Sequence, residues 1–322
     1  YNWYDYSVFR FFNGEFQKQF KSPGRPLISQ EMSTGYPNAE TGHPTRSYQL
    51  IHQNPYSLIG YEAYDWGNPA SFLNTQSFIT GELAETLRRT NEQASGIMHF
   101  AYMTWFRQCY DHRNIQPYPT YYAMQRAMQP VLVSAELWGR NLYAGEKLHT
   151  RIYVVNDNEE GRDLKPMSLA WSIVDETNKV LASGTEQFPA VEYYGRKYIE
   201  PNIHMPSNLP ADKVNVKLKL TLTESGVTLS QNEYGLLLAR KEWNIGQITA
   251  DKKVLLLDKD HMKATLDFLN IACQTVPSIK ELLNAKQKAN LCIISGLKEC
   301  TDEEARLLRE YQSKGGRILF LN

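Results

Sequence analysis

Leu27-Ile28-Ser29-Gln30-Glu31-Met32-Ser33-Thr34-Gly35-Tyr36 is the stretch whose reading decides the fold. A short apolar run closes on Gln30-Glu31, and a long segment rich in Gly, Pro and aromatic residues follows. An acidic residue at the carboxyl end of a buried strand is where α/β barrels place their chemistry. Glu31 is therefore the candidate catalytic carboxylate.

Moving outward, the flanking sequence alternates between strand and helix patterns. Residues 1–5 are aromatic and strand-like, and Phe9, Phe12, Phe16 and Phe20 recur at near-helical spacing over 7–20. A Pro-Gly pair within 21–26 breaks that helix before the strand at 27–30. Residues 32–74 lack a clear period and carry Gly35, Pro37, Gly42, Pro44, Pro55, Gly67 and Pro69, so a long loop is expected, with a helical patch at 45–53. Its Tyr36, Tyr48, Tyr56, Tyr61, Tyr64 and Trp66 argue against disorder. A helix is expected at 77–93, with Ile79, Leu83 and Leu87 on one face. A strand over 96–103 is expected to end at Thr104-Trp105, and a helix over 120–128 to stop at Pro130. This order describes the end of a parallel α/β structure whose remaining strands precede the sequence given.

From Val131 the pattern changes to alternating polarity over 131–137, 148–156, 168–174, 180–185 and 213–223. The last is the clearest, with Val214, Val216, Leu218, Leu220 and Leu222 on one face and Asn215, Lys217, Lys219 and Thr221 on the other. Short strands separated by turn signals fit an immunoglobulin-like sandwich, although its Cys-Trp-Cys core is absent. Residues 244–252 read as a linker. Beyond it, strands at 254–258, 291–295 and 318–321 alternate with helical stretches. Thr301-Asp302-Glu303-Glu304 is a capping box, and Gly315-Gly316 supplies a left-handed stop. The expected fold class is thus multidomain: α/β at 1–130, all-β at 131–243, and the start of a doubly wound α/β domain at 253–322.

Composition narrows the function classes. The 35 basic residues balance the 35 acidic ones, and no Lys/Arg run is long enough for a nucleic-acid footprint. No apolar segment reaches the length of a membrane span. Cys109, Cys273, Cys292 and Cys300 show neither zinc-site nor disulfide-framework spacing, so no metal or other cofactor is assigned. Of the 20 tyrosines, 14 precede residue 150, and aromatic faces with polar tips suit sugar pockets as well as cores.

The first 130 residues resemble the last third of the catalytic barrel of glycoside hydrolase family 2, which includes β-galactosidases, β-glucuronidases and β-mannosidases. Asn2-Trp3-Tyr4 is similar to the family's Asn-x-Tyr on strand six. Pro26-Leu27-Ile28-Ser29-Gln30-Glu31 resembles strand seven, which ends in the nucleophile. The segment 96–105 resembles strand eight, whose Trp floors the sugar site, here Trp105. Residues 117–131 look like the final helix running into the next β domain, and 229–234 like that domain's closing strand. Gln30-Glu31-Met32 stands where many members carry Ser-Glu-Tyr or Ser-Glu-Phe, which leaves the subfamily open.

What the resemblance implies is retaining hydrolysis of terminal β-linked sugars, with carbohydrate as the partner. Glu31 would be the nucleophile, Tyr4 would orient it, and Trp105 and Gln30 would line the sugar site. Tyr64, Trp66 and His43, on the long loop, would border it. The acid/base Glu of the family's strand four has no counterpart here and is expected in a preceding region. A periplasmic or extracellular location follows only from family habit, a cytoplasmic one stays open, and so does a homo-oligomer. The alternative is a non-catalytic carbohydrate-binding or scaffold protein on a degenerate barrel. The C-terminal part loosely resembles glutamine-amidotransferase-like domains, but it has no G-x-C-x-G elbow. Cys300 at a helix start reads as a plain flanking residue, so no activity is assigned there.

Overall fold

The structure, a computed structural model, describes residues 2–3, 27–32, 35–45, 54–65, 67–90, 94–99, 102–244, 253–284 and 289–321. The helix expected at 7–20, all but the first residue of the patch expected at 45–53 and most of the linker lie outside them. The chain divides into two compact units, Tyr1–Glu242 and Trp243–Asn322.

The first unit begins with three parallel strands, β1 (Asn2–Trp3), β2 (Leu27–Met32) and β3 (Ala94–His99), in the order β1-β2-β3. Between β2 and β3 run α1 (Asn54–Ile59), a 3-10 turn (Gly60–Tyr64) and α2 (Pro69–Thr90). The expected long loop is therefore shorter, and the helix expected at 77–93 starts at Pro69. Proline suits a first helical position because its fixed φ is already helical and its missing N–H has no partner there to lose. Phe72, Gln76, Ile79, Leu83 and Leu87 form the buried stripe, and Gln76 fits it because its side-chain amide donates to the Gly35 carbonyl at 3.0 Å. Residues 96–103 do not form one strand either. β3 stops at His99, and Tyr102–Trp105 is a 3-10 turn.

A two-stranded ribbon follows, β4 (Phe106–Arg107) with β5 (Gln116–Pro117), and then α3 (Pro119–Ala127). Met124 and Ala127 of α3 pack on Ile79, Leu83, Ala84 and Leu87 of α2. The remaining strands of this unit are β6 (Val131–Glu136), β7 (Asn141–Tyr143), β8 (Arg151–Asn156), β9 (Met167–Asp175), β10 (Val180–Phe188), β11 (Arg196–Ile199), β12 (Lys213–Glu224) and β13 (Val227–Ala239). They form a five-stranded sheet, β10-β9-β12-β13-β7, and a three-stranded sheet, β11-β8-β6. One apolar core contains residues of both, among them Val133, Ile152 and Val154 from one and Leu169, Ile173, Leu218, Leu220 and Leu236 from the other. On the opposite side of β6, α2 is joined by polar bonds. Arg89 Nη1 donates to Ser134 Oγ at 2.6 Å, and Arg88 reaches the Ala127 and Gln129 carbonyls and Asp157.

The second unit holds β14 (Val254–Asp258), α4 (Met262–Phe268), β15 (Gln274–Thr275), α5 (Ile279–Leu282), β16 (Leu291–Ser295), α6 (Asp302–Ser313) and β17 (Ile318–Leu321). All pairs are parallel, in the order β15-β14-β16-β17. Leu255 and Leu257 join one core cluster and Val254 and Leu256 another, so the sheet is buried on both faces, as parallel sheets require. The Thr301–Glu304 capping box starts α6, and Gly315 takes φ +85 just beyond its end.

Candidate active site

The carboxyl ends of β1, β2 and β3 lie side by side, and the register there is irregular on both sides of the central strand. Against β1, Asn2 pairs with Gln30 and Trp3 with Met32. Against β3, Ser29 pairs with Ile97 and Met32 with His99. On each side β2 carries one residue more than its neighbour: against β1 Glu31 alone is passed over, and against β3 Gln30 and Glu31 together stand opposite Met98. A bulge of this kind breaks regular alternation, re-aims a side chain and is over-represented beside active sites; it is rare between parallel strands. Glu31 therefore lies within both irregularities, one residue before the end of the central strand. For Glu31 and Gln30 the backbone alone is described, and Tyr4 and Trp66 lie outside the described residues.

β3 contributes a side-chain relay. The Trp105 indole N–H donates to His99 Nδ1 at 2.7 Å, with the two rings 5.5 Å apart. That bond needs the Nδ1 lone pair, so the ring proton sits on Nε2, which is 3.3 Å from Thr80 Oγ1 on α2. Burial pushes the His99 imidazole down to about 3, and a donor aimed at Nδ1 disfavours the cation further. His99 is thus neutral, in one tautomer, and clamped between α2 and Trp105. The Trp105 carbonyl also accepts from the Tyr118 amide at 2.6 Å. Trp105 does not end the strand, as expected, but lies in the turn after it. It is half-buried, and part of its surface packs on the Ile79–Leu83 cluster of α2. Nothing in the sequence around His99 singled it out, because its partners come from a helix and a turn that only the fold brings together.

The chain leaving β2 is fixed against the same elements. Residues 35–45 form a narrow hairpin closed by a Pro37–Pro44 bridge, with the Asn38 amide donating to the His43 carbonyl at 2.6 Å. Asn38 Oδ1 accepts from the Glu40 and Thr41 amides, and Gly42 supplies the positive φ of 78° that the turn requires. A Cβ at Gly35 would lie 2.6 Å from the Gln76 side chain, so any larger residue would push the Gln76 amide from its place against the hairpin. At the other end Tyr118 Oη donates to the Asn38 carbonyl at 2.9 Å, and Arg107 Nε donates to the Glu40 carbonyl at 2.5 Å. His43, half-buried, is thereby held in a hairpin tied to the segment that follows Trp105. Tyr64 belongs to a different aromatic group, its ring 5.5 Å from Tyr56.

Among the described residues no group of three or more His, Cys, Asp or Glu side chains is arranged to hold a metal ion, and no helix is long and apolar enough to cross a membrane.

No protein-family model matches the sequence, and no curated protein matches it. Solved structures with partial similarity include a β-D-mannosidase from Dictyoglomus thermophilum, at 15% identity and a TM-score of 0.44 over 73% of this chain and 29% of that one. The exo-chitosanase CsxA of Amycolatopsis orientalis aligns at 16% identity and a TM-score of 0.43, over 73% of this chain and 30% of that one. A β-glucuronidase from glycoside hydrolase family 2 aligns at 15% identity and 0.26, over 34% and 11% respectively. This chain thus spans less than a third of the length of each.

Proposed function

We propose that this chain carries the nucleophile half of a retaining exo-β-glycosidase. The observation that carries the reading is the double bulge at Glu31, at the carboxyl end of the central one of three parallel strands. Two further observations support it. The strand on one side leads to a fixed aromatic, Trp105, through a neutral His99, and the loop that follows Glu31 is pinned to the same elements.

In this reading Glu31 is ionised near neutral pH and attacks the anomeric carbon. The C–O bond to the leaving group breaks as the bond to the carboxylate forms, and a second carboxyl protonates the departing oxygen. Water then hydrolyses the glycosyl ester, the second carboxyl acting as base. The acid/base role is assigned to a group outside these 322 residues. Tyr4 is assigned to orient the Glu31 carboxylate, and a hydroxyl donating to that carboxylate would favour its charged form. Trp105 offers an indole face to the apolar face of the sugar, and its tether to His99 keeps that face from rotating, so less freedom is lost on binding. Gln30, His43, Tyr64 and Trp66 are assigned to the pocket border. Export to the periplasm or cell surface is part of the same reading.

Replacing Glu31 with Gln in the full-length protein should lower kcat on aryl β-glycosides by about a thousandfold or more. Glu31→Ala should regain turnover with azide, which takes the nucleophile's place and yields a glycosyl azide of inverted configuration. Wild-type turnover by Glu31→Gln would overturn the reading.

A further inference from the structure

Beyond the last residue of β6 the sandwich surface opens into a cleft of about 390 Å³, within the size range of small-molecule sites. Its walls come from the end of β6, the approach to β8 and the turn after β11, and none of its residues belongs to β1, β2 or β3.

Trp138 stands in this wall with 55% of its surface exposed. Indoles are among the most buried side chains on average, so one held open beside a cleft calls for a reason. Its N–H donates to Glu136 Oε1 at 2.7 Å, which fixes the ring. Elsewhere in the cleft, Arg151 Nε donates to Glu200 Oε1 at 3.1 Å, and the guanidinium lies 4.9 Å from the Tyr198 ring centroid. Tyr198 in turn packs on Tyr153 at 5.1 Å. Lys147, His149 and Thr150 complete the polar lining.

The chemistry of this set selects a ligand class. Glu136 and Glu200 balance Lys147 and Arg151, so the charges of these four cancel and gather neither anions nor cations. The carboxylates already accept from Trp138 and Arg151, which leaves no bare acidic cluster for a metal. Charged and amphipathic walls disfavour a purely apolar ligand. What fits is a molecule with one apolar face for the indole and a rim of hydroxyls that both donate and accept, which describes a sugar ring. The larger groove along α3, β12 and β13, about 560 Å³, has Arg126, Lys219, Gln231 and Glu233 in its wall but no aromatic ring.

We infer that the Trp138 cleft is a saccharide-binding site, with the indole as platform and Glu136, Lys147, Arg151 and Glu200 as hydroxyl partners. It stands apart from Glu31, and either assignment can fail alone. A sandwich bearing such a site holds the protein on a glycan chain by contacts that do not involve the bond being broken.

The test is isothermal titration of the full-length protein with β-1,4-linked mannotetraose, galactotetraose and glucotetraose. At least one should bind, Trp138→Ala should weaken it about tenfold or more, and Trp138→Phe should weaken it less. Glu31→Ala should leave this binding unchanged, and Trp138→Ala should turn over a small aryl β-glycoside at the wild-type rate. Fluorescence of Trp138, taken as the difference between wild type and Trp138→Phe, should respond to the same tetraose, which gives an answer even if the alanine variant fails to fold. Absence of binding by all three tetraoses, or binding unchanged in Trp138→Ala, would overturn the inference. Loss of binding in Glu31→Ala with none in Trp138→Ala would assign it to the Glu31 site instead.

Discussion

Within the first unit, the buried positions of β9, β12 and β13 include Leu169, Ile173, Leu218, Leu220 and Leu236, while those of α2 include Gln76, Thr80, Glu82, Glu85, Arg88 and Arg89. The sandwich core is apolar and its energy comes from removing that surface from water, a non-directional term. The inner face of α2 is held by directional bonds. Glu85 accepts from Ser134 Oγ, from Tyr234 Oη at 2.7 Å and from Asn232 Nδ2 at 2.9 Å, and lies 3.5 Å from Arg89. Glu82 pairs with Arg140, yet burial still raises its carboxyl above the ordinary range against that cation's pull. Tyr234 is pushed well above the usual phenol range, by burial first and the Glu85 charge second. A buried polar seam adds little net stability over apolar packing, but it penalises any displaced arrangement, because each shift strands a charge or a donor. The helix that anchors His99 and the hairpin after β2 is therefore set in one position on the sandwich, and position is what a reacting site needs.

The comparison breaks most visibly at Glu85. Glu85→Ala leaves Arg89 without its carboxylate and strands the Ser134 and Tyr234 hydroxyls, while Asn232 Nδ2 keeps the Val133 carbonyl and Tyr234 Oη; it should destabilise the first unit by about 3–5 kcal/mol in urea unfolding. Glu85→Gln should fall short of rescue, since a neutral amide answers neither Arg89 nor all three donors. A loss under about 1 kcal/mol would mean that the seam is solvated.

A smaller effect separates the same region by pH. Burial lowers His99 from its ordinary value near 6.5 to about 3. Between those values the unfolded chain takes up a proton that the folded chain refuses, so stability is present above about 6.5 and falls as pH drops toward 3. The slope is at most about 1.4 kcal/mol per pH unit. Between pH 7.5 and 5, His99→Gln should lose less stability than wild type, because the amide does not titrate. Equal losses would place the proton elsewhere. The smallest effect is expected in the sandwich, where Leu220→Met keeps volume and apolarity and should cost less than about 1.5 kcal/mol.

The same contrast explains what was legible in the sequence. Non-directional packing leaves a period, and alternation over 213–223 matches β12 closely, with Val216, Leu218, Leu220 and Leu222 buried. The capping box at Thr301 is local and was readable for that reason. The start of α2 at Pro69 was not, because its first turns bury one apolar residue, Phe72, followed by the polar Gln76, which is too little to show a period. The Glu85 partners lie 49, 147 and 149 residues away, beyond any local signal. β7 and β11, three and four residues long, carry too few positions to show alternation. At the candidate site, Glu31 and Trp105 are legible in the sequence as candidates only. The bulge on both sides of Glu31 and the His99 clamp required the strands to be paired.

The central claim, that Glu31 attacks the anomeric carbon, is tested most directly by trapping. The full-length protein, inactivated with a 2,4-dinitrophenyl 2-deoxy-2-fluoro-β-glycoside of a sugar it turns over, should carry one glycosyl ester. Peptide mapping by mass spectrometry should place it on the peptide containing Gln30-Glu31-Met32, at Glu31. A glycosyl adduct on any other carboxylate, or time-dependent inactivation that persists unchanged in Glu31→Gln, would contradict the account.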